Sequence, residues 1–564
     1  MISVSGINWK EKIVNKNLIE KLQQENKFSH ILSKLIISRK FDDDEIFSVG
    51  NDVEFSNIFK NDLDFINSIN LLKESIDKKE EICILGDYDV DGSVATSLFV
   101  KFLKNLNHPF FYYIPDREKD GYGASIRLFK KLILKKPKLV IMLDCGSSAN
   151  EAIDYLNKKK IKSIIVDHHE INKPFPKANI IINPKKNDNY IKYDYFCATA
   201  LTYFFLDLFI KKFKYKFNLR KDLIFVLLAT VCDVMPLRKI NRFIAKSALK
   251  EFNIKNNDII KEIYNQLNKK NQLNLDDLGF LIGPILNSGG RLGKSSYSTD
   301  LLSSNDTKKI KLRSSQLIKL NEHRKKIEKN TLNQIDLNKI SKSDENIIIY
   351  YDPLMHEGLI GIIAARLKDL FNKPSFVITN SNRILKSSAR SVKGYNIGAA
   401  IKRAIDKNLI INGGGHSMAA GFILDKNNLS FLKKFLIRDF SKYNISRDFT
   451  LNYDAEVSSS IFNKNFLNEI KKIEPFGHEN EAPIFLFKQM KVIKPKLLNN
   501  KHIFSILKSK RGFSINSICF NSTNTKIEKY LFNYKKELSV VGQISENFWD
   551  NKKILQLIIK DLIL

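Results

Sequence analysis

Ile82-Cys83-Ile84-Leu85 runs directly into Gly86-Asp87-Tyr88-Asp89-Val90-Asp91-Gly92-Ser93, and the fold turns on how this stretch is read. Four consecutive apolar residues without polar alternation describe a strand buried on both faces, the pattern of a parallel sheet covered by helices. Helical spacing then takes over across Ser93–Leu106. The acids at positions 87, 89 and 91 therefore fall at the carboxyl end of a buried strand.

The same grammar recurs downstream. Leu139–Leu143 runs into Asp144-Cys145-Gly146, Ile161–Val166 into Asp167-His168-His169, and Ile180–Ile182 reads as a further buried strand. Ser125–Leu134 carries helical spacing, and Asp233 follows an apolar helical run, Leu223–Val231. Strands alternating with helices predict a parallel α/β sheet, whose ligands bind beyond the carboxyl ends of the strands. Several strands thus deliver carboxylates and imidazoles to one edge. Each motif alone also reads as a turn former or a helix cap. Together, unpaired ionised carboxylates would each cost several kcal/mol if buried, and a divalent cation relieves that repulsion. Carboxylates with imidazole suit Mn²⁺ or Mg²⁺, and there are ligands enough for two ions sharing a bridging carboxylate. His168 and His169 point opposite ways if the chain stays extended, so both need not be ligands. The second could act as a general acid or polarise a phosphoryl oxygen.

At 564 residues the chain is too long for one ordinary core. Tyr215 to Asp306 reads as mainly helical, and apolar residues at Ile310, Leu317, Leu320, Ile327 and Ile335 predict one long connecting helix. A second strand–helix pattern starts with Ile347–Tyr351 and Leu359–Leu370. From Phe449 the candidate strands are short: Leu451–Val457, Met490–Ile493, His502–Leu507, Ser514–Phe520 and Glu537–Ile544, which predicts a small β-barrel. The expected division is an N-terminal segment 1–50, a parallel-sheet domain with a helical part 51–300, a connecting helix 301–344, a second α/β domain 345–445 and a barrel 446–564.

With 93 Lys and Arg against 61 Asp and Glu, the net charge of +32 favours polyanions, nucleic acid above all, although the chain is Lys-rich throughout, as compositional drift would also leave it. Cys83, Cys145, Cys197, Cys232 and Cys519 form no CxxC pair, which excludes a zinc knuckle and fits a reducing compartment. The N-terminal stretch lacks the apolar core of a signal peptide, and Ala198–Ile210 is too short to span a bilayer, so a cytoplasmic protein without membrane association is expected.

The acid and histidine motifs resemble those of the DHH phosphoesterases, and the whole chain resembles the RecJ exonucleases within them. The resemblance implies metal-ligand roles for Asp89, Asp91, Asp144, His168 and Asp233, and supporting or catalytic roles for Asp87, Asp167 and His169. Ile114-Pro115-Asp116-Arg117 with Gly121-Tyr122-Gly123 is similar to a segment whose Arg holds a 5′ phosphate, and Asn287 with Gly290-Arg291-Leu292 to another. A guanidinium grips a terminal phosphate with paired hydrogen bonds, which favours a chain end. His356-Glu357-Gly358, Ser388-Ala389-Arg390-Ser391 and Gly413-Gly414-Gly415-His416 resemble the DHHA1 domain, which implies phosphate contacts from His356, Ser388, Arg390, Gly414, Gly415 and His416. Pro475-Phe476-Gly477, Asn480-Glu481-Ala482-Pro483, Asn547-Phe548-Trp549 and Leu555-Gln556-Leu557 resemble the RecJ oligonucleotide-binding (OB) barrel. Such barrels bind single strands with a basic groove and aromatic faces, for which Lys494, Lys496, Lys508, Lys510, Arg511 and Phe504 or Phe513 are candidates; core packing is the other reading of the aromatics. Two departures, Ser288-Gly289 for a pair of alanines and Gly293-Lys294 for acidic residues, bear on substrate preference.

The resemblance implies a metal-dependent 5′→3′ exonuclease that threads single-stranded DNA between the two α/β regions. It would release mononucleotides in DNA repair and recombination. A single-stranded-DNA-binding protein and a RecQ-like helicase are the partners it implies, and a monomer is expected. The competing readings are a nanoRNase or cyclic dinucleotide phosphodiesterase, against which the terminal barrel argues, and a silent DNA-binding scaffold, against which the complete acid set argues.

Overall fold

The computed structural model describes residues 1–564 except 118, 122, 187–191, 382–383, 444–449 and 550–551, and leaves the side chains of 548, 549 and 552 undescribed. Tyr122 and the Phe548 and Trp549 side chains, quoted above, therefore lie outside what is described. The chain divides into two compact units, one of residues 56–235 with 248–445, the other of 1–55 with 236–247 and 446–564.

The larger unit holds two sheets. In the first, all strands are parallel, in the order Phe110–Tyr113, Ile82–Leu85, Leu139–Leu143, Lys162–Val166, Ile180–Ile182. Cys83, Leu85, Val140, Met142 and Ile165 pack on one face with Leu128, Phe129, Ile153 and Leu156 from the helices Ile126–Leu132 and Asn150–Lys158. The alternate residues Ile82, Ile84, Ile141 and Ile164 are fully buried as well. They face the side on which the helices Val90–Asn105 and Ala198–Phe213 lie against the sheet. Burial on both faces is what the unbroken apolar runs encode.

The second sheet runs Asn412–Gly415, Ala419–Leu424, Ile384–Arg390, Ser375–Ser381, Ile348–Tyr351, and only its last pair is parallel. The expected long helix is Thr307–Gln334, with Ile335 capping it from outside rather than continuing it. Its buried stripe is Ile310, Ser314, Leu317 and Ile318 in the first half but Asn321, Arg324, Glu328 and Thr331 in the second. The change to polar residues is stabilised by hydrogen bonds from Arg324 to Asn321 at 3.0 Å and to Glu328 at 2.7 Å, and from Arg366 to Glu328 at 2.9 Å.

In the smaller unit, Phe485–Leu498, His502–Ser509, Ser514–Cys519, Lys552–Ile563 and Leu538–Trp549 close into a barrel when the last strand pairs back onto the first. This is the expected OB-type barrel with two differences in detail. Three of its strands are longer than read, up to 14 residues, while Ser514–Cys519 is one residue shorter, and the strand Lys552–Ile563 was not anticipated. The stretch Leu451–Val457 is two strands, Thr450–Tyr453 and Ala455–Glu456. Asp454 interrupts them, its carboxylate taken by Lys12, Arg39 and the Ile484 amide. Asn8–Glu11 pairs in parallel with Thr450–Tyr453 and brings the N-terminal residues into this unit. All five cysteines are free. No helix among the described residues is long and apolar enough to cross a membrane.

Candidate metal centre

Each acid arrives at the sheet edge by local geometry. Asp89 caps the helix Val90–Asn105, accepting the Gly92 amide at 3.0 Å, so the chain leaves the strand and enters the helix within four residues. A β-carbon on Gly92 would sit 2.6 Å from the Asp87 amide nitrogen, so that turn requires glycine. Asp144 follows its strand with φ +60°, a left-handed conformation uncommon for a residue with a side chain. Asp233 caps the end of Leu223–Cys232, and the exposed Val234 behind it holds φ +56°, costly for a β-branched residue. Strain of this kind persists where the surrounding structure over-determines it, and here it brackets the acid cluster.

The side chains meet in three overlapping groups whose ligand atoms lie within 4.8 Å of one another: Asp144 with His168 and His169, Asp91 with His168 and Asp233, and Asp87 with Asp89 and Asp144. Nε2 of His168 lies 3.4 Å from both Asp144 and Asp233 and 3.7 Å from Asp91. All five residues expected as ligands come together, and Asp87 and His169 offer atoms to the same cluster. Asp167 stands behind it: Oδ1 accepts the His168 amide at 2.8 Å and faces His169 Nδ1 at 2.7 Å, while Oδ2 accepts the Ser147 amide at 3.0 Å.

Asp91 has a support the sequence did not reveal. Its two oxygens accept the amides of Ala198 and Thr199 at 2.7 and 2.8 Å, the first two residues of the helix Ala198–Phe213. A helix N-terminus holds a carboxylate ionised and fixed, and each carboxylate oxygen keeps a second lone pair.

Burial leads the electrostatics, and the crowding of charges follows. Burial, then the charge of Asp89, pushes Asp87 up to about 8. Burial and Asp91 raise Asp89, and they raise Asp144 and Asp233 well above the usual range. Burial brings His168 down to about 4, keeping it neutral and able to ligate. Burial works against charge on His169 too, yet the Asp167 carboxylate outweighs it and lifts His169 to about 9. The same pair, working against burial, holds Asp167 below the ordinary carboxylate range. One Oδ atom each of Asp87, Asp144 and Asp233 is buried with no hydrogen-bond partner. Three orphaned carboxylate oxygens beside a neutral imidazole are a donor set that hard divalent cations fit, and Mn²⁺ or Mg²⁺ would satisfy them.

Cations lie beside the acids. Arg117 donates to the Tyr88 hydroxyl at 2.9 Å, with its guanidinium carbon 4.6 Å from the ring centre. Arg291 ends the helix Gly283–Arg291, one turn from Asn287, and donates to the Gly358 carbonyl at 3.3 Å. Burial first, and then the nearby Arg117, Arg324 and Arg390, lower Arg291 to about 10 against the pull of Asp89. Ser388 and Arg390 share one face of their strand, joined by a 3.3 Å hydrogen bond. Gly414 pairs with Gly421, itself paired with Ser388, and a β-carbon there would face open space. His356 accepts the Gly358 amide through Nδ1 at 3.1 Å, and His416 lies 3.4 Å from Glu170, which follows the two histidines. The second sheet therefore meets the acid-bearing domain at Arg291 and at Glu170. Arg324 and Glu170 were not singled out from sequence. The Ser288-Gly289 departure is a packing adaptation: Ser288 donates to the Leu317 carbonyl at 3.0 Å, and Gly289 admits the Lys294 carbonyl, 2.7 Å from where a β-carbon would be.

Comparison with known proteins agrees with this reading. Residues 81–231 match the DHH family N-terminal domain, 344–442 the DHHA1 domain and 453–561 the RecJ OB domain. Fold and site together define a DHH-family protein. Within that family the chain belongs with the RecJ proteins. It is 29% identical over 518 residues to the single-stranded-DNA-specific exonuclease RecJ of Haemophilus influenzae, covering 87% of this chain and 89% of that one. To the protein of the same name from Bacillus subtilis it is 26% identical over 575 residues, covering 99% and 71%. The crystal structure of Thermus thermophilus RecJ in complex with Mn²⁺ superposes with a TM-score of 0.83 at 20% identity, covering 99% of this chain and 80% of that one. A second structure of that protein, in complex with Mg²⁺, gives 0.77 at 19% identity, covering 99% and 78%.

Proposed function

We propose that the protein is a single-stranded-DNA-specific 5′→3′ exonuclease that hydrolyses phosphodiester bonds to release 5′-mononucleotides in DNA repair and recombination. The observation that carries the reading is the cluster of orphaned carboxylate oxygens with a group of arginines beside it. One holds cations and the other holds a phosphate.

Asp89, Asp91, Asp144, His168 and Asp233 would hold two Mn²⁺ or Mg²⁺ ions. When bound, such ions supply a water of lowered pKa and stabilise the attacking and leaving oxygens of an in-line displacement. The chain's own groups do the rest. His169, kept protonated by Asp167, is placed to donate a proton or a hydrogen bond to a phosphoryl oxygen, and Asp87 supports the cluster from the strand end. Arg117, Arg291 and Arg390, with Asn287, His356, Ser388, Gly414, Gly415 and His416, would take the terminal phosphate. Charge-assisted, paired hydrogen bonds favour an end over an internal position. The barrel's basic and aromatic residues would bind single-stranded DNA.

The five-part division 1–50, 51–300, 301–344, 345–445 and 446–564 belongs to this proposal. So do a monomeric state, a cytoplasmic location, and a single-stranded-DNA-binding protein and a RecQ-like helicase as partners.

The test is digestion of a single-stranded oligonucleotide labelled in turn at each end, with Mn²⁺ or with EDTA, beside the duplex form. Metal-dependent release of a 5′-labelled mononucleotide from the single strand alone is the expected result. Cleavage from the 3′ end, or of short oligonucleotides only, overturns it.

A further inference from the structure

We infer that Tyr88 is a positioning residue that sets the 5′-phosphate grip at a fixed distance from the metal centre. It sits between Asp87 and Asp89, so its backbone is tied to the cluster on both sides. Its side chain reaches the other way. The hydroxyl accepts a hydrogen bond from Arg117 Nη2 at 2.9 Å, and the guanidinium carbon lies 4.6 Å from the ring centre. Arg117 is thus held by a hydrogen bond and by a cation–π contact from a single buried side chain.

The Tyr88 backbone also meets the second arginine's helix. Gly290 packs so closely that a β-carbon on it would lie 2.4 Å from the Tyr88 carbonyl oxygen, and Arg291 is the next residue. One residue between two cluster acids therefore fixes both phosphate-holding arginines, Arg117 through its side chain and Arg291 through backbone contact. Arginine side chains are long and carry rotamer entropy, so without such a tether the grip would sample several distances from the cluster. A fixed distance is what removal of one nucleotide per cut requires.

The inference rests on the phosphate role proposed for Arg117, and its test separates the two. Full-length protein with Mn²⁺ is assayed on single strands of one sequence bearing a 5′ phosphate or a 5′ hydroxyl, as wild type, Tyr88→Phe, Arg117→Met and the double variant. The phenylalanine keeps ring and packing and removes only the hydroxyl. With the hydrogen bond that holds Arg117 gone, Tyr88→Phe is expected to raise KM for the phosphorylated strand on the order of tenfold. KM for the hydroxyl-ended strand, and kcat for both, should stay as in wild type, and Tyr88→Phe should add nothing in the Arg117→Met background. A wild type indifferent to the 5′ phosphate overturns the phosphate reading and this inference with it. A phosphate preference kept in Tyr88→Phe, an equal loss on both ends, or additive effects in the double variant overturn the inference alone.

Discussion

Nδ1 of His169 lies 2.7 Å from Oδ1 of Asp167, and the same oxygen accepts the backbone amides of His168 at 2.8 Å and His169 at 3.2 Å. Oδ1 is thus taken by three donors, and the carboxylate's part is to orient the two histidines. It fixes which imidazole nitrogen faces the cluster and keeps a charge on His169. Replacing Asp167 with Asn keeps the size and removes the charge. By analogy with positioned acid–base groups, kcat should fall about 10²–10⁴-fold. Mn²⁺ binding measured by calorimetry should keep its stoichiometry. Loss of an ion in Asp167→Asn would assign it a ligand role instead.

Asp144 takes part in two of the three ligand groups and carries one of the orphaned oxygens. An ion bound only by the folded protein stabilises it by about 2.7 kcal/mol at a hundredfold excess over Kd. Wild-type protein should therefore melt several degrees higher with Mn²⁺ or Mg²⁺ than with EDTA. In Asp144→Ala that increment should shrink or vanish, while the EDTA melting point rises, because a crowded buried carboxylate has gone. A full metal increment in Asp144→Ala would remove it from the ligand set.

Arg291 is clustered with Arg117, Arg324 and Arg390, none of which neutralises it. Substitution by Met should leave the fold intact, because the cluster loses repulsion. Without its charge-assisted hydrogen bonds, kcat/KM for a 5′-phosphorylated strand should drop roughly 10–100-fold. Steady-state kinetics with the two kinds of 5′ end decides it: an equal loss on both ends means that Arg291 serves the scissile position.

The acids after Ile82–Leu85 and Leu139–Leu143 were legible because each group follows an unbroken apolar run, and a strand buried on both faces can end only at the sheet's edge; Asp233, which ends a helix, was assigned through the resemblance. Their mutual support was not legible. The helix start at Ala198-Thr199 that holds Asp91 is 107 residues away in sequence, and no local pattern links the two segments. The polar half of the long helix was not anticipated for a related reason: Arg324 and Glu328 are charged, and only tertiary packing buries them. In the barrel, Lys552–Ile563 alternates imperfectly and carries Lys and Asp. Asp561 is fully buried, its carboxylate taken by the Leu562 amide and by the Trp9 indole and the Ser5 hydroxyl, the last two more than 550 residues away.

The same long-range logic sets the stability of the barrel unit. Glu45 is fully buried and takes a paired contact from Arg238, Nε to Oε1 at 2.7 Å and Nη2 to Oε2 at 2.6 Å, with the Lys239 amide at 2.8 Å. Burial alone would raise its carboxyl, but these donors outweigh burial and leave it below the ordinary glutamate value. A folded-state pKa that is lowered gives stability present above the unfolded pKa, about 4.3 for Glu, and lost as pH falls through the folded value. Glu45→Gln should cost about 3 kcal/mol near neutrality, since it strands a mostly buried guanidinium. The penalty should narrow below pH 4, where wild type loses the same charge. Both tryptophans, Trp9 and Trp549, belong to this unit, so denaturant titrations followed by tryptophan fluorescence report on it selectively. A penalty independent of pH between 3 and 7 would show that Glu45 contributes shape and hydrogen bonds but no charge.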